Sequence, residues 1–183
     1  LTDPGAAPRT GAPGAARSAV IALIGDMVKP AWKAFDHGLI TGDTGFEKAH
    51  GVGLFEYLQH NPGMAQFFSE TMVGFHGREP PAVAEAYEFS GIGSLVDVGG
   101  ASGNMLGHVL SRHPGVKGVL YDLPHVVVDA PPLLAGFGVA DRVTIESGSF
   151  FERVPAGHDA YVLSHIIHDW DDDENAAILG NVR

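Results

Sequence analysis

The sequence predicts an α/β fold, a Rossmann-like parallel sheet preceded by a helical segment. Three observations predict it. Leu95, Val96 and Val98 form a short apolar run ending at paired glycines, which reads as a buried parallel strand entering a tight turn. After Gly103, the residues Met105, Leu106, Val109 and Leu110 recur at helical spacing, so the turn opens onto a helix N-terminus. Val116–Tyr121 is a second apolar run, closed by Asp122. Strand, glycine turn, helix, strand and terminal acid is the plan of a nucleotide-binding crevice.

The glycine pattern narrows the nucleotide. A dinucleotide fingerprint needs G-x-G-x-x-G. Gly99, Ala101 and Gly103 give G-x-A-x-G instead, and no start in this turn satisfies the longer form. Gly99, Gly100 and Gly103 let the backbone approach a ligand closely. Asp97 lies just before them, where it can hold an amino group. A free amino group belongs to the methionine portion of S-adenosylmethionine and not to NAD. Asp122 can accept hydrogen bonds from ribose hydroxyls. The competing reading is an ordinary strand–helix turn whose glycines serve packing.

Composition sets outer limits. The chain has 183 residues, 45% hydrophobic and 18% charged, enough to build a core. A net charge of -11 disfavours nucleic acid and anionic membrane as partners. With no cysteine there is no disulfide framework and no zinc–thiolate site. No run of about twenty apolar residues and no leader pattern is seen, so a soluble cytoplasmic protein is expected.

Residues 1–17, rich in Ala, Gly and Pro, read as a linker or the tail of an upstream domain. Ser18 can cap a helix carrying Val20, Leu23, Ile24, Met27, Val28, Ala31, Trp32 and Phe35 at helical spacing, with Pro30 kinking or dividing it near Val28. Residues 38–45 read as a loop. Leu54–Leu58 suggest a short helix stopped by Asn61-Pro62. Met64, Phe67, Phe68, Thr71, Met72 and Phe75 then form one stripe of a longer helix. That stripe reads as a core face or as the edge of a pocket for a flat aromatic molecule. Pro80-Pro81 breaks the chain before a helix over 82–89.

Beyond Asp122, a helix starting at Leu123 is disturbed by Pro131-Pro132, and 139–142 turn into a strand over 143–146. Ser149 and Phe150 follow that strand's carboxyl end, placed to meet an adenine, with simple packing as the rival reading for Phe150. Residues 158–163 form the next strand and run into Ser164-His-Ile-Ile-His-Asp-Trp-Asp171. Asp171 with Glu174 is a capping-box-like pair opening the last helix.

His168 follows a strand's carboxyl end, on the ligand side of the sheet. An imidazole can take a proton from a hydroxyl near neutral pH, so a general base is the first reading. A structural histidine and a metal site formed by His165, His168 and the neighbouring acids compete with it.

Taken in order, Leu95-Val-Asp-Val-Gly-Gly-Ala-Ser-Gly103, Tyr121-Asp-Leu-Pro-His-Val126 and His168-Asp-Trp-Asp171 resemble the small-molecule O-methyltransferases. These are the class I S-adenosylmethionine-dependent enzymes of plant phenylpropanoid and bacterial polyketide pathways. Phe46-Glu-Lys-Ala-His50 and Phe55-Glu-Tyr-Leu58 also look like this family, and the likeness runs from Ala19 to Arg183.

The resemblance implies the class I methyltransferase sheet over 91–183, incomplete at its C-terminal end. It also implies a substrate-side helical segment over 18–90 and a dimerising winged-helix domain upstream. It implies that Gly99 faces the methionine portion and Asp122 the ribose, and that Ser149 and Phe150 flank adenine. Leu123 and Ser164 join Asp97, Gly100 and Gly103 on the cofactor's side. Phe68, Met72, His165 and Asp169 meet an aromatic acceptor, and His168 is the base. No metal is implied, and a homodimer is. Many plant relatives carry Asp in place of Ser149 and Lys in place of Ser164, and the acids that orient the base lie beyond Arg183.

The expected reaction follows. His168 takes the proton of an acceptor hydroxyl and the oxygen attacks the sulfonium methyl in line, with proximity contributing more than the base. Three alternatives remain. One is a related polyketide hydroxylase or decarboxylase, a second an NAD-dependent oxidoreductase, a third a non-catalytic binding fragment.

Overall fold

A computed structural model describes residues 16–182, and the expectation for the N-terminal tail lies mostly outside them. The chain divides into two compact units, Leu1–Gly77 and Arg78–Arg183.

The described part of the first unit is helical: α1 (Ala16–Ile24), α2 (Lys29–Lys33), α3 (Phe35–Thr41), α4 (Gly45–His50), α5 (Leu54–His60) and α6 (Pro62–His76). Ser18 lies inside α1 and is not its cap. The expected division near Val28 is present: the break runs over 25–28, Val28 is the N-cap of α2, and Pro30 sits in that helix's first turn. Proline belongs there, because the N–H it lacks has no helical partner at that position. The loop expected over 38–45 is largely helix. The turn shrinks to Gly42–Thr44, with Gly42 left-handed at the end of α3 and Thr44 accepting the Glu47 N–H at the start of α4. His50 Nε2 lies 2.8 Å from the Met27 carbonyl, tying α4 to the α1–α2 bend.

The second unit contains α7 (Glu79–Ala86), β1 (Ser94–Val98), α8 (Asn104–Arg112), β2 (Lys117–Asp122), α9 (Ala130–Gly136), β3 (Val143–Ser147), β4 (Ala160–Val162) and α10 (Asp172–Asn181). The proline pairs again start helices where breaks are expected. Pro80 and Pro81 lie in the first turn of α7, and Pro131 and Pro132 in that of α9. Helix α7, read from sequence as part of the first segment, clusters with the sheet.

The four strands are all parallel, in the order β3-β2-β1-β4. Successive side chains on a strand point to opposite faces. Leu95 and Leu120 join a core with Leu106, Val109, Leu110 and Leu134, whereas Val96, Val98, Val119 and Tyr121 join a second core on the other face. Parallel strands covered on both faces explain the continuous apolar runs of the sequence. The edge strand β3 is half-exposed, and β4 is shorter than its expected span of 158–163. Among the described residues, no helix is long and apolar enough to cross a membrane.

Arg142 fastens α8 to this framework. Its guanidinium donates to the Leu110 carbonyl at 2.8 Å and the Val116 carbonyl at 2.9 Å, collecting acceptors at the C-terminal end of α8. Arg142→Ala leaves these carbonyls short of a donor. It should lower stability in urea unfolding by about 2 kcal/mol, with Arg142→Lys restoring only part of it.

Candidate active site

The site is built where the strand order reverses. From β1 the chain crosses to β2 and then β3 on one side, and returns to β4 on the other. In open parallel sheets, ligands sit at such a switch point, outside the carboxyl ends of the strands.

The turn after β1 is sewn to β2. Gly99 and Gly100 donate their N–H groups to the Tyr121 carbonyl, at 2.8 and 3.4 Å. Ala101 donates to Asp122 Oδ2 at 2.9 Å and Leu123 to Asp122 Oδ1 at 2.7 Å. Gly103 closes the turn onto the Gly100 carbonyl at 2.8 Å. Gly99 has φ 69°, and a Cβ there would overlap the Ile166 side chain, with Phe150 next nearest. Only glycine meets both conditions. Burial pushes the Asp122 carboxyl up, while the Leu123 and Ala101 N–H groups and His125 pull it back.

Asp97 lies deeper than the glycines it precedes. It is 1% exposed and lies beneath Gly100, where a Cβ would strike its Cγ. Its carboxylate accepts the Leu106 N–H at the start of α8, and its Oδ2 has no partner. Burial pushes Asp97 up to about 7, with the Asp122 charge adding to the rise and the Leu106 hydrogen bond opposing it.

Ser149 and Phe150 follow β3. Ser149 Oγ accepts the Phe151 N–H at 3.3 Å. Phe150 is half-buried against the second core, 5.8 Å edge-on from Trp170. Ser164 is half-buried after β4. His168 is exposed in a 3-10 turn, Ile167–Asp169, with its Nε2 3.5 Å from Asp169 Oδ1. Burial pushes the Asp169 carboxyl up, with His168 and His165 pulling it down. The His165 and His168 rings are 5.3 Å apart, but His165 is left-handed, so the two do not share the helix face that a metal reading requires.

Phe68 and Met72 belong to the first unit. Phe68 lines an open cavity of about 440 Å³ with Met27, Trp32, Phe35, Phe46 and Leu54. Met72 is half-buried on α6, Phe75 is exposed, and Thr71 is the fully buried member of the stripe. The stripe is therefore neither a sealed core face nor wholly a pocket edge.

Sequence reasoning missed three residues that shape the second-unit site. Ile166 covers Gly99. Asn175 on α10 donates to the Ile167 and Trp170 carbonyls, each at 2.9 Å, and so holds the His168 turn. Glu79 meets His165, with 2.5 Å between Oε2 and Nε2. Only Asn175 left a local signal, an amide inside a helix one turn after the capping box.

A family model described as an O-methyltransferase domain matches residues 32–183. O-demethylpuromycin-O-methyltransferase of Streptomyces alboniger is 41% identical over all of this chain and 49% of its own length. A phenazine O-methyltransferase of Lysobacter antibioticus is 38% identical over 96% of this chain and 51% of its own. Among solved structures, a mitomycin 7-O-methyltransferase superposes with a TM-score of 0.93 at 33% identity, over 99% of this chain and 53% of that one. An O-methyltransferase from neocarzinostatin biosynthesis, solved with S-adenosyl-L-homocysteine and 1,4-dihydroxy-2-naphthoic acid, gives 0.88 at 28% identity, over 100% and 57%. The chain spans about half the length of the relatives it matches.

The buried carboxyls predict a pH dependence. A folded Asp97 near 7 against an ordinary 3.8 binds a proton that the unfolded chain has released. Its contribution is full below pH ~4 and is lost as pH rises through ~7, an upper bound of roughly 4 kcal/mol. Urea unfolding at pH 5 and pH 8 should show stability falling with pH, and Asp97→Asn should flatten that fall. An equal slope in the variant contradicts the assignment.

Proposed function

The chain belongs to the O-methyltransferase domain family, and from that premise we propose that it is part of an enzyme methylating a hydroxyl of an aromatic natural product with S-adenosylmethionine. One observation carries this reading: the glycine turn is pinned to Asp122 at the sheet's switch point.

The residues present fit such a cofactor. A carboxylate offers about four lone-pair positions, and Asp122 uses two of them on backbone N–H groups. The others can take a ribose diol. Gly99 borders the methionine portion on the family resemblance, while the space of its missing side chain takes Ile166. Leu123, Ser149 and Phe150 form the adenine side, with Ser164 at the mouth of β4. When bound, S-adenosylmethionine supplies an electrophilic sulfonium methyl.

The acceptor hydroxyl must lose its proton as its oxygen attacks that methyl. A phenol's ordinary pKa of about 10 leaves it protonated at neutral pH, so a base assists. His168 takes that proton in this reading, and its exposure at the end of β4 supports it. Asp169, 3.5 Å away, stabilises the imidazolium that forms. His165 and Asp169 also border the acceptor. Phe68 and Met72 supply apolar contacts for it, a reading supported by the aromatic cavity beside Phe68. The full-length enzyme is read as a homodimer, on the family resemblance.

His168→Ala should lower turnover by about 100-fold or more, measured as methyl transfer to 1,4-dihydroxy-2-naphthoic acid as a probe phenol. Affinity for S-adenosylhomocysteine should stay within about twofold, because His168 acts on the acceptor and not on the nucleoside. Unchanged turnover removes His168 from the mechanism.

A further inference from the structure

His165 is a non-glycine residue held at φ 60°. A residue with a Cβ keeps that conformation only where its surroundings fix it. The fixing contact comes from far away in the chain. His165 Nε2 meets Glu79 Oε2 at 2.5 Å, and Glu79 is the first residue of α7.

The reversal at His165 has two consequences. Ile166 returns to a right-handed conformation, φ −94° and ψ −54°, and its Cδ1 fills the space beside Gly99 where a Cβ would lie. The following residues then close the 3-10 turn bearing His168, with the Asp169 N–H donating to the Ile166 carbonyl at 3.1 Å. Asn175 secures this turn from its downstream side, at the Ile167 and Trp170 carbonyls. Glu79 secures it from upstream. One left-handed residue thus joins the glycine turn to the His168 turn.

We propose that Glu79 is a positioning residue: through its bond to His165 it sets the backbone reversal that seats Ile166 on Gly99 and aims His168. The consequence for turnover rests on the methyltransferase reading above, whereas the geometric claim stands apart from it.

The test is an NMR measurement on the methyl-labelled full-length protein. The nuclear Overhauser cross peak between the Ile166 δ1 methyl and the Gly99 α protons reports the seating. The Leu106 methyl to Gly118 contact, on the opposite face of β2 from Tyr121, serves as internal control. In Glu79→Ala and in His165→Ala the Ile166 cross peak should fall at least threefold while the control holds. His165→Gln should keep part of it, because its longer amide reaches the Nε2 position and donates to Glu79. Turnover of the probe phenol should fall at least tenfold in Glu79→Ala. An unchanged cross peak, or wild-type turnover, in Glu79→Ala overturns the proposal. A wild-type protein that shows the cross peak but neither binds S-adenosylhomocysteine nor transfers methyl contradicts the methyltransferase reading and leaves the anchoring standing.

Discussion

The Asp122 carboxylate, shared between the Ala101 and Leu123 N–H groups, is the contact on which the site depends. It extends the β1–β2 ladder past the end of the sheet, so the glycine turn is held as firmly as the strand before it. Gly99 and Gly100 add to this by donating to the Tyr121 carbonyl. With the turn fixed, α8 must start at Asn104, and its buried face must meet Leu95 and Leu120. The cost is two carboxyls, Asp97 and Asp122, both pushed towards the protonated form by burial. Folding here accepts an electrostatic penalty so that the backbone at the crevice is held in one conformation before any ligand arrives.

The second constraint is topological. Because β4 returns to the far side of β1, the segment after it, Ser164–Asp169, must pass over the glycine turn. Ile166 on Gly99 is the contact that results. The segment that carries His168 and the turn that faces the nucleoside are therefore neighbours by the order of the strands, and their side chains refine a proximity already fixed by the fold.

Much of this was legible in the sequence wherever the information is local. The strands β1 and β2, the helix over Met105–Leu110 and the capping box of Asp171 and Glu174 follow from apolar runs, periodicity and short-range hydrogen bonding, and all are present. Prolines marked helix boundaries but not the side on which the helix resumes. Pro30, Pro80-Pro81 and Pro131-Pro132 read as breaks, and each lies in the first turn of a helix. What stayed hidden was long-range. Arg142 at the end of α8 and Glu79 against His165 join residues distant in sequence, with no period or motif to betray them. Asp97 shows the limit of motif reading. Its position beside the glycines is legible, but whether it faces the crevice or the helix is decided by packing alone.

The most direct test of the central claim, a nucleoside crevice pinned by Asp122, is calorimetric titration with S-adenosylhomocysteine, with NAD as control, in the wild type and in Asp122→Ala. The account predicts selective binding of S-adenosylhomocysteine that Asp122→Ala abolishes. Preference for NAD, or S-adenosylhomocysteine binding that survives the loss of the carboxylate, would contradict it.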